Sequence, residues 1–434
     1  MAPTPLSSLA SNTALTPLPA GERIFGWREH AALWLSLGVG LLVIQIGAYL
    51  VPALGTQTAL TVIVCGSVLG AGLLAWTAKI GCDSGLSSAG LMHATYGSSF
   101  ARLPVLLNIV QLIGWTTFEL VVMRDGTVAI ARQSGGFGIS WWPVLATLLW
   151  GAVLLALLSA SMVGLVRKFI SRYGLPLVIA SLIWLSWQFL SKAGAQGFAE
   201  IWNRPGNGSM STLSALDLVI AMPVSWLPLV ADFARHGRNG NSALRGTWLG
   251  YAIANTWCYS LGLLIALTTP STDLVAALLL AQGGLIALGL ILIDELDNAY
   301  GDLYSGSVAG HSLRPSWSLR RWGMGLTTLC TALALVVPIH SLEPFLLMLS
   351  SVFVPLYGVI LARLAGQADL EVMMTEQKVN VSAVTIWLLG IAFYHLLAQL
   401  APQWGAALPT LALTFLLARA TRKLLDRRQV SAMA

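Results

Sequence analysis

The fifteen residues Ile291-Leu-Ile-Asp-Glu-Leu-Asp-Asn-Ala-Tyr-Gly-Asp-Leu-Tyr-Ser305 carry Asp294, Glu295, Asp297 and Asp302 on a segment that continues the apolar run from Gly284 without a break. A carboxylate at bilayer depth costs at least about 2.5 kcal/mol unless it faces a partner or a wet cavity. Four on one hydrophobic segment therefore point to the lining of a solute pathway. At about 100° per residue, Asp294, Asp297, Asn298, Gly301, Asp302 and Ser305 share one helix face, and Glu295 lies to one side. In Gln111-Leu-Ile-Gly-Trp-Thr-Thr-Phe-Glu-Leu120, Trp115 and Glu119 stand at i and i+4 and so share a face. An indole stacks on a flat heteroaromatic ring, and a carboxylate one turn away accepts from an exocyclic amine and a ring N–H. In Met222-Pro-Val-Ser-Trp-Leu-Pro228, Ser225 and Trp226 lie between Pro223 and Pro228. Asp232 and Arg235 are spaced as a structural or gating ion pair, and Asp217 reads as a solvated acid near the outer mouth.

These side chains need elements that hold them in a membrane. The chain has 434 residues, of which 56% are hydrophobic and 10% charged, far below the quarter or so that is charged in soluble domains. Apolar runs near 31–53, 58–79, 104–132, 140–161, 173–191, 214–235, 246–268, 283–306, 321–339, 343–365, 381–400 and 405–421 predict about twelve helical spans, and a β-barrel would show short alternating segments instead. With the N-terminus inside, Arg23, Arg28, Lys79, Arg102, Arg167, Lys168, Arg172, Arg235, Arg238 and Arg245 fall inside, as do Arg314, Arg320, Arg321, Arg363, Lys378 and the basic tail Arg419–Arg428. Arg124, Arg132, Lys192 and Arg204 fall on or toward the other side, so the charge bias places both termini in the cytoplasm of a multi-pass inner-membrane protein.

Two spans are broken by composition, the first at Gly38-Val-Gly40 and Gly47, the sixth at its two prolines. Five spans separate these breaks, and five separate the third span from the eighth. The two halves would therefore run in opposite orientation, as in a five-plus-five inverted-repeat transporter with two added helices. The expected organisation is a mobile tail over 1–22, repeats over 23–200 and 201–366, added helices over 367–421 and a basic tail over 422–434. The segment 81–97 reads as a re-entrant or gating element or an ordinary connector, and the segment 272–281 as a short external helix. The basic end reads as an orientation signal and an anionic-lipid contact. Cys65, Cys82, Cys258 and Cys330 lack CxxC spacing and read as buried small hydrophobes. His93, His236, His311, His340 and His395 share no ligand spacing, and no phosphate-binding glycine loop occurs. No nucleic-acid partner is implied by the net charge of +6, because the basic residues sit between spans.

Laid out this way, the chain resembles the nucleobase–cation symporter family that includes cytosine and hydantoin permeases, and is most similar to its hydroxymethylpyrimidine permease branch. The resemblance rests on Leu33-Trp-Leu-Ser-Leu-Gly-Val-Gly40, Gly114-Trp-Thr-Thr-Phe-Glu119, the stretch Met222 to Arg235 and Asp297-Asn-Ala-Tyr-Gly-Asp-Leu-Tyr304, and covers roughly residues 20 to 425. It implies an all-α LeuT-type fold with the site at mid-membrane between spans one, three, six and eight. Substrate-site positions fall on Trp115, Glu119, Met222, Pro223, Ser225, Trp226 and Asp302. The family's sixth-span aromatic position falls near Met222 or Pro223, with Trp226 one turn on. Glu119 and Asp302 replace two neutral amides of the family, which suits a ring presenting donors, such as an aminopyrimidine, better than a dione. Sodium-coupled members hold the cation with backbone carbonyls of the first and eighth spans and Ser/Thr hydroxyls, and these positions fall on Gly38, Leu41, Ile293, Leu296 and Asp297. Asp297 replaces a hydroxyl, keeping an oxygen ligand for sodium and adding a group able to carry a proton. The coupling ion, Na+ or H+, is left open.

The expectation is a secondary, cation-coupled importer of a small planar pyrimidine, hydroxymethylpyrimidine first. It would be a monomer in the lipid bilayer with no cofactor beyond the coupling ion. A cytosine, purine or allantoin permease, or an amino-acid-type transporter on the same fold, is the alternative. An intramembrane enzyme would need a nucleophile–base set or a metal cluster, and the paired breaks disfavour a passive channel.

Overall fold

In hydrocarbon every backbone N–H and C=O must find its partner within its own segment, so the apolar runs fold as helices. The computed structural model describes residues 14–135, 140–158, 174–269, 274–279, 281–337, 342–366 and 377–433, with side chains to 422. The helices are α1 (Trp27–Ser36), α2 (Leu41–Tyr49), α3 (Thr56–Ser84), α4 (Ser88–Tyr96), α5 (Arg102–Gln133), α6 (Trp142–Leu157), α7 (Leu175–Gln196), α8 (Phe198–Trp202) and α9 (Thr212–Ser225). They continue with α10 (Leu227–Ala234), α11 (Gly240–Thr268), α12 (Leu274–Leu279), α13 (Gly284–Leu313), α14 (Leu319–Val336), α15 (Leu342–Leu364), α16 (Val381–Leu400) and α17 (Ala407–Met433). A helix, or a pair meeting at a break, stands at each expected span. Among the described residues seven such elements are long and apolar enough to cross a bilayer, and the α1–α2 pair, bent by 64°, is an eighth. Val64, Val68, Leu106, Val110, Leu149, Ile183, Trp187, Leu388 and Leu389 are exposed on the outer helices, the apolar surface that lipid requires. The chain is an all-helical, multi-pass membrane protein.

Glycine sets the closest packing inside. Gly246, Gly250, Ala254, Cys258 and Gly262 recur every fourth residue along α11 and make one narrow stripe. A Cβ at Gly250 would lie 2.4 Å from Ala31 O of α1, and one at Gly262 would lie 1.8 Å from Ile44 O of α2. From the α2 side, a Cβ at Gly47 would lie 2.0 Å from Tyr259 O. Both halves of the broken helix thus lie directly on the α11 backbone. Gly66 and Gly70 of α3 receive Val219 and Pro223 of α9 in the same way.

The two expected breaks differ. The first opens a sharp bend at residues 37–40, with Gly40 in extended backbone. The second is an interruption at Trp226, and α9 and α10 still run on as one span of 23 residues. Proline explains the mildness, because each missing N–H frees only the carbonyl four residues earlier. Val219 O, left by Pro223, takes the Tyr259 hydroxyl at 3.1 Å, and Val224 O, left by Pro228, takes the Trp226 N–H.

The segment 81–97 is a folded connector. Gly85 turns in the left-handed region (φ +71°) and α4 is buried along its whole length. Asp232 accepts from Ser88 N at 3.0 Å, and Ser88 Oγ accepts from Ala231 N at 3.2 Å. Asp217 is a correction to the solvated reading, since it is buried and accepts from Ala406 N, and from Ala407 N at 3.0 Å, at the start of α17. Of the tail expected to be mobile over 1–22, residues 14–22 are described, and they are docked. Leu18 N donates to Gly85 O at 2.9 Å, the Ser87 hydroxyl donates to Ala14 O, and Arg23 Nε holds Leu18 O at 2.8 Å. Residues 1–13, Arg167, Lys168, Arg172, His340 and Thr272 lie outside the described residues, as do the side chains of Lys423, Arg427 and Arg428.

Candidate functional site

The bend between α1 and α2 leaves backbone groups without helical partners, and α13 supplies them. Leu41 N donates to Glu295 Oε1 at 2.5 Å, and Asn298 Nδ2 donates to Val39 O at 3.0 Å. Gly40 lies so close that a Cβ there would sit 2.9 Å from Glu295 Oε1. One turn away, the Ser36 hydroxyl at the end of α1 lies 3.2 Å from Asp294 Oδ1 and 2.9 Å from Asp297 Oδ2. On the other side, span three serves the interruption at Trp226. Gln111 Nε2 donates to Ser225 O at 3.2 Å, and Asn108 Nδ2 donates to Pro228 O at 2.8 Å.

Between these two interruptions lies a small, tightly closed cavity. Its walls are Leu37, Gly40, Leu42 and Val43 from the first span, Trp115 and Glu119 from α5, Met222, Ser225, Trp226 and Leu229 from the sixth, and Glu295, Asn298 and Asp302 from α13. Leu42 also borders a wider, open cavity lined by Gln45, Phe118, Asp125, Arg132, Leu274 and Leu342, at the end of the bundle where α5 finishes. Toward the opposite end the way is shut by aromatic packing. Trp34 meets Trp226, Phe233 and Tyr251 edge-on at 5.8, 6.2 and 6.0 Å. Below it Phe25 N donates to His236 O at 2.8 Å, and Arg238 N donates to Phe25 O at 2.9 Å.

Six of the seven expected substrate-site residues, Trp115, Glu119, Met222, Ser225, Trp226 and Asp302, line this cavity together. Pro223 does not, because its ring packs on α3, where a Cβ at Gly70 would meet it at 2.2 Å. Trp115 is held edge-on by Phe345 of α15 at 5.2 Å, a support that its position in the sequence gives no hint of. Of the expected cation positions, Leu41 and Asp297 stand at the bend in separate contacts, Leu41 N with Glu295 and Asp297 with Ser36. Gly38 packs on α11, with Ala254 Cβ 2.7 Å from where its own Cβ would stand, and the Ile293 side chain is 44% exposed, so these two positions offer a cation their backbone carbonyls only.

Glu295 is the residue that sequence reasoning put aside. A single acidic face was expected along α13, but the face divides in two. Glu295, Asn298 and Asp302, at i, i+3 and i+7, face the cavity, while Asp294 and Asp297 face Ser36. Several buried polar atoms here have no partner: Trp115 Nε1, Glu119 Oε2 and Asn298 Oδ1 around the cavity, and Asp294 Oδ2 beside Ser36. Unpaired buried polar atoms are costly, and three of these belong to residues that line the cavity. The arrangement can hold a flat ring against indole faces and accept hydrogen bonds from its edge.

A model of permeases for cytosine/purines, uracil, thiamine and allantoin matches residues 17–418. No curated protein sequence matches significantly. Among solved structures, Mhp1, a nucleobase-cation-symport-1 family transporter in a closed conformation with bromovinylhydantoin bound, is similar with a TM-score of 0.81 at 15% identity, covering 96% of each chain. The inward-facing conformation of Mhp1 gives a TM-score of 0.77 at 16% identity, over 96% of this chain and 94% of that one. A Na+-coupled sialic acid symporter in a substrate-bound outward-open state gives 0.63 at 11% identity, over 95% and 93%. The shared architecture is the LeuT-type fold.

Proposed function

The chain belongs to the family of permeases for cytosine/purines, uracil, thiamine and allantoin, and on that premise we propose that it is a cation-coupled importer of a small planar pyrimidine, with hydroxymethylpyrimidine as the substrate. The observation that carries the reading is the cavity between the two helix interruptions, with Trp115 and Trp226 in its walls and the Glu119, Glu295 and Asp302 carboxyls around it. In this reading the indoles hold the ring, and Glu119 and Asp302 take its amino and ring-nitrogen edge. A pyrimidine dione would set carbonyl oxygens against those carboxyls and be rejected.

Transport proceeds by alternating access, the two five-helix repeats exchanging which end of the cavity is open. The wide approach past Leu42 and the aromatic closure around Trp34 correspond to a state open to the outside, if the basic residues place both termini in the cytoplasm. The coupling cation acts where α13 meets the α1–α2 bend. There Asp297 and Asp294 share Ser36, one turn from the Glu295 and Asn298 contacts that border the substrate. Cation and substrate thereby act on the same bend, which is what coupling requires of them. The protein works as a monomer in the inner membrane.

The test is uptake of labelled hydroxymethylpyrimidine into proteoliposomes, with cytosine and thiamine as competitors, under a sodium gradient and then a proton gradient. Saturable uptake driven by either gradient supports the reading and identifies the ion. Absence of uptake, with tight binding of a different planar ring, replaces the substrate and keeps the transporter.

A further inference from the structure

We infer that the cavity takes its ring as a cation, a planar amidinium-type heterocycle whose exocyclic amine and neighbouring ring N–H both donate, and not as the neutral base. The inference rests on the pyrimidine reading above and adds the charge of the bound form.

It follows from counting donors and acceptors. The cavity is lined by the carboxyls of Glu119, Glu295 and Asp302 and by the Asn298 amide, and among the described residues no Lys, Arg or His lines it. The orientation of Asn298 is set by its Nδ2 donating to Val39 O at 3.0 Å, so what it presents is Oδ1, which has no partner. Glu119 Oε2 is likewise unpartnered, and the two side chains are only 5% and 3% exposed. Against these the unpartnered donor in the lining is Trp115 Nε1, which leaves room for one acceptor substituent. With its carboxyls ionised, the site is therefore short of hydrogens and of positive charge.

A neutral aminopyrimidine remedies this by half. Its amine donates, but the adjacent ring nitrogen turns a lone pair toward a carboxylate oxygen. One proton on that nitrogen converts the edge into two parallel N–H donors, the fork that matches a carboxylate in bidentate fashion. The same proton supplies the countercharge that buried carboxylates otherwise lack. A neutral amide of the same shape offers one donor edge and one acceptor and gains neither.

The test separates charge from substrate identity by using a simple pair of probes on the purified full-length protein. Benzamidinium and benzamide are flat and nearly the same shape, and differ in charge and in one donor. Thermal stabilisation titrated with each should show benzamidinium binding at least about tenfold more tightly, as expected for one added charge-assisted hydrogen bond. Glu119→Gln and Asp302→Asn should each reduce that preference, with the unliganded melting temperature showing whether each variant is folded. Equal or weaker binding of benzamidinium, or binding of neither probe, overturns the inference in the wild-type protein alone. If hydroxymethylpyrimidine is taken up while benzamide matches benzamidinium, the charge assignment fails and the pyrimidine reading survives. If benzamidinium is preferred but hydroxymethylpyrimidine is neither bound nor taken up, the pyrimidine reading fails and the cation-selective cavity stands.

Discussion

Glu119→Gln is the substitution that tests the site most directly. Glutamine keeps the volume and the reach of the side chain, so the packing around the 3%-exposed Glu119 is preserved. What changes is one charge and one obligatory acceptor. Hydrogen bonds to charged groups contribute about 1.5–3 kcal/mol and neutral ones about 0.5–1.5. The amide can also turn its NH2 group toward the ligand's donors. The combined loss should weaken binding of an aminopyrimidine by about tenfold to a hundredfold, at about 1.4 kcal/mol per factor of ten. Stability should move the other way or not at all. Glu119 Oε2 has no partner to lose, and replacing a buried carboxyl by an amide removes the cost of burying a charge. The assay is equilibrium binding of labelled hydroxymethylpyrimidine to purified protein, with thermal unfolding of the same samples. Affinity within about threefold of wild type would refute the role given to Glu119. A melting temperature that falls in step with affinity would show that the residue supports the fold instead.

Ser36→Ala leaves Asp294 and Asp297 without the hydroxyl they share. Gradient-driven accumulation should fall severely while ligand affinity in the cavity, measured without the driving cation, stays within about threefold, at a stability cost of about 1–3 kcal/mol; loss of that cation-free affinity in parallel with uptake would contradict the separate placement of coupling and substrate. Gly262→Ala drives a methyl group to 1.8 Å from Ile44 O and should cost about 1–3 kcal/mol, read as a lower thermal midpoint. The control is Gly289→Ala on α13, where nothing lies within 4 Å, and that variant should gain up to about 1 kcal/mol from helix propensity. His93, on the connecting helix α4, is pushed down to about 4 by burial and by the nearby Arg102 cation. The folded form therefore holds this ring neutral while the unfolded chain protonates it near 6.5, so stability should be lost as pH falls from about 6.5 to 4. His93→Gln should flatten that slope in unfolding curves, and an unchanged slope would place the acid sensitivity elsewhere.

Much of the architecture was legible because membrane helices announce themselves by length and composition, and because glycine pairs and prolines mark where a ladder is interrupted. The lining of the cavity was legible for a different reason. Trp115 and Glu119 share a helical face, and a glutamate in mid-span has few uses other than facing a cavity. Pro223 was misplaced because a residue beside a helix break can point toward the site or away from it, and its ring fills the groove at Gly70. Asp217 and residues 14–22 were read as solvated or free because their partners are backbone N–H and C=O groups, which sequence composition does not display. The every-fourth-residue stripe on α11 was there to be read, but its meaning depends on which helix lies against it.

The division of the acidic face of α13 has a simple helical origin. Positions 295, 298 and 302 advance together around the helix, and 294 and 297 trail them by part of a turn. A helix about 10 Å across cannot turn both sets toward one neighbour when the first span bends by 64° beside it. The end of α1 therefore meets Asp294 and Asp297, and the start of α2 meets Glu295. Each half of the broken span is tied to α13 by a different group of acids, and one of these groups also borders the cavity. A ligand that draws Glu295 or Asn298 into its own hydrogen bonds competes with Leu41 N and Val39 O for them. A cation at Asp297 competes in the same way with Ser36. In the proposed mechanism, movement of the bend is the common result of filling either site, and Asp294, Glu295 and Asp297 are the acids tied to it.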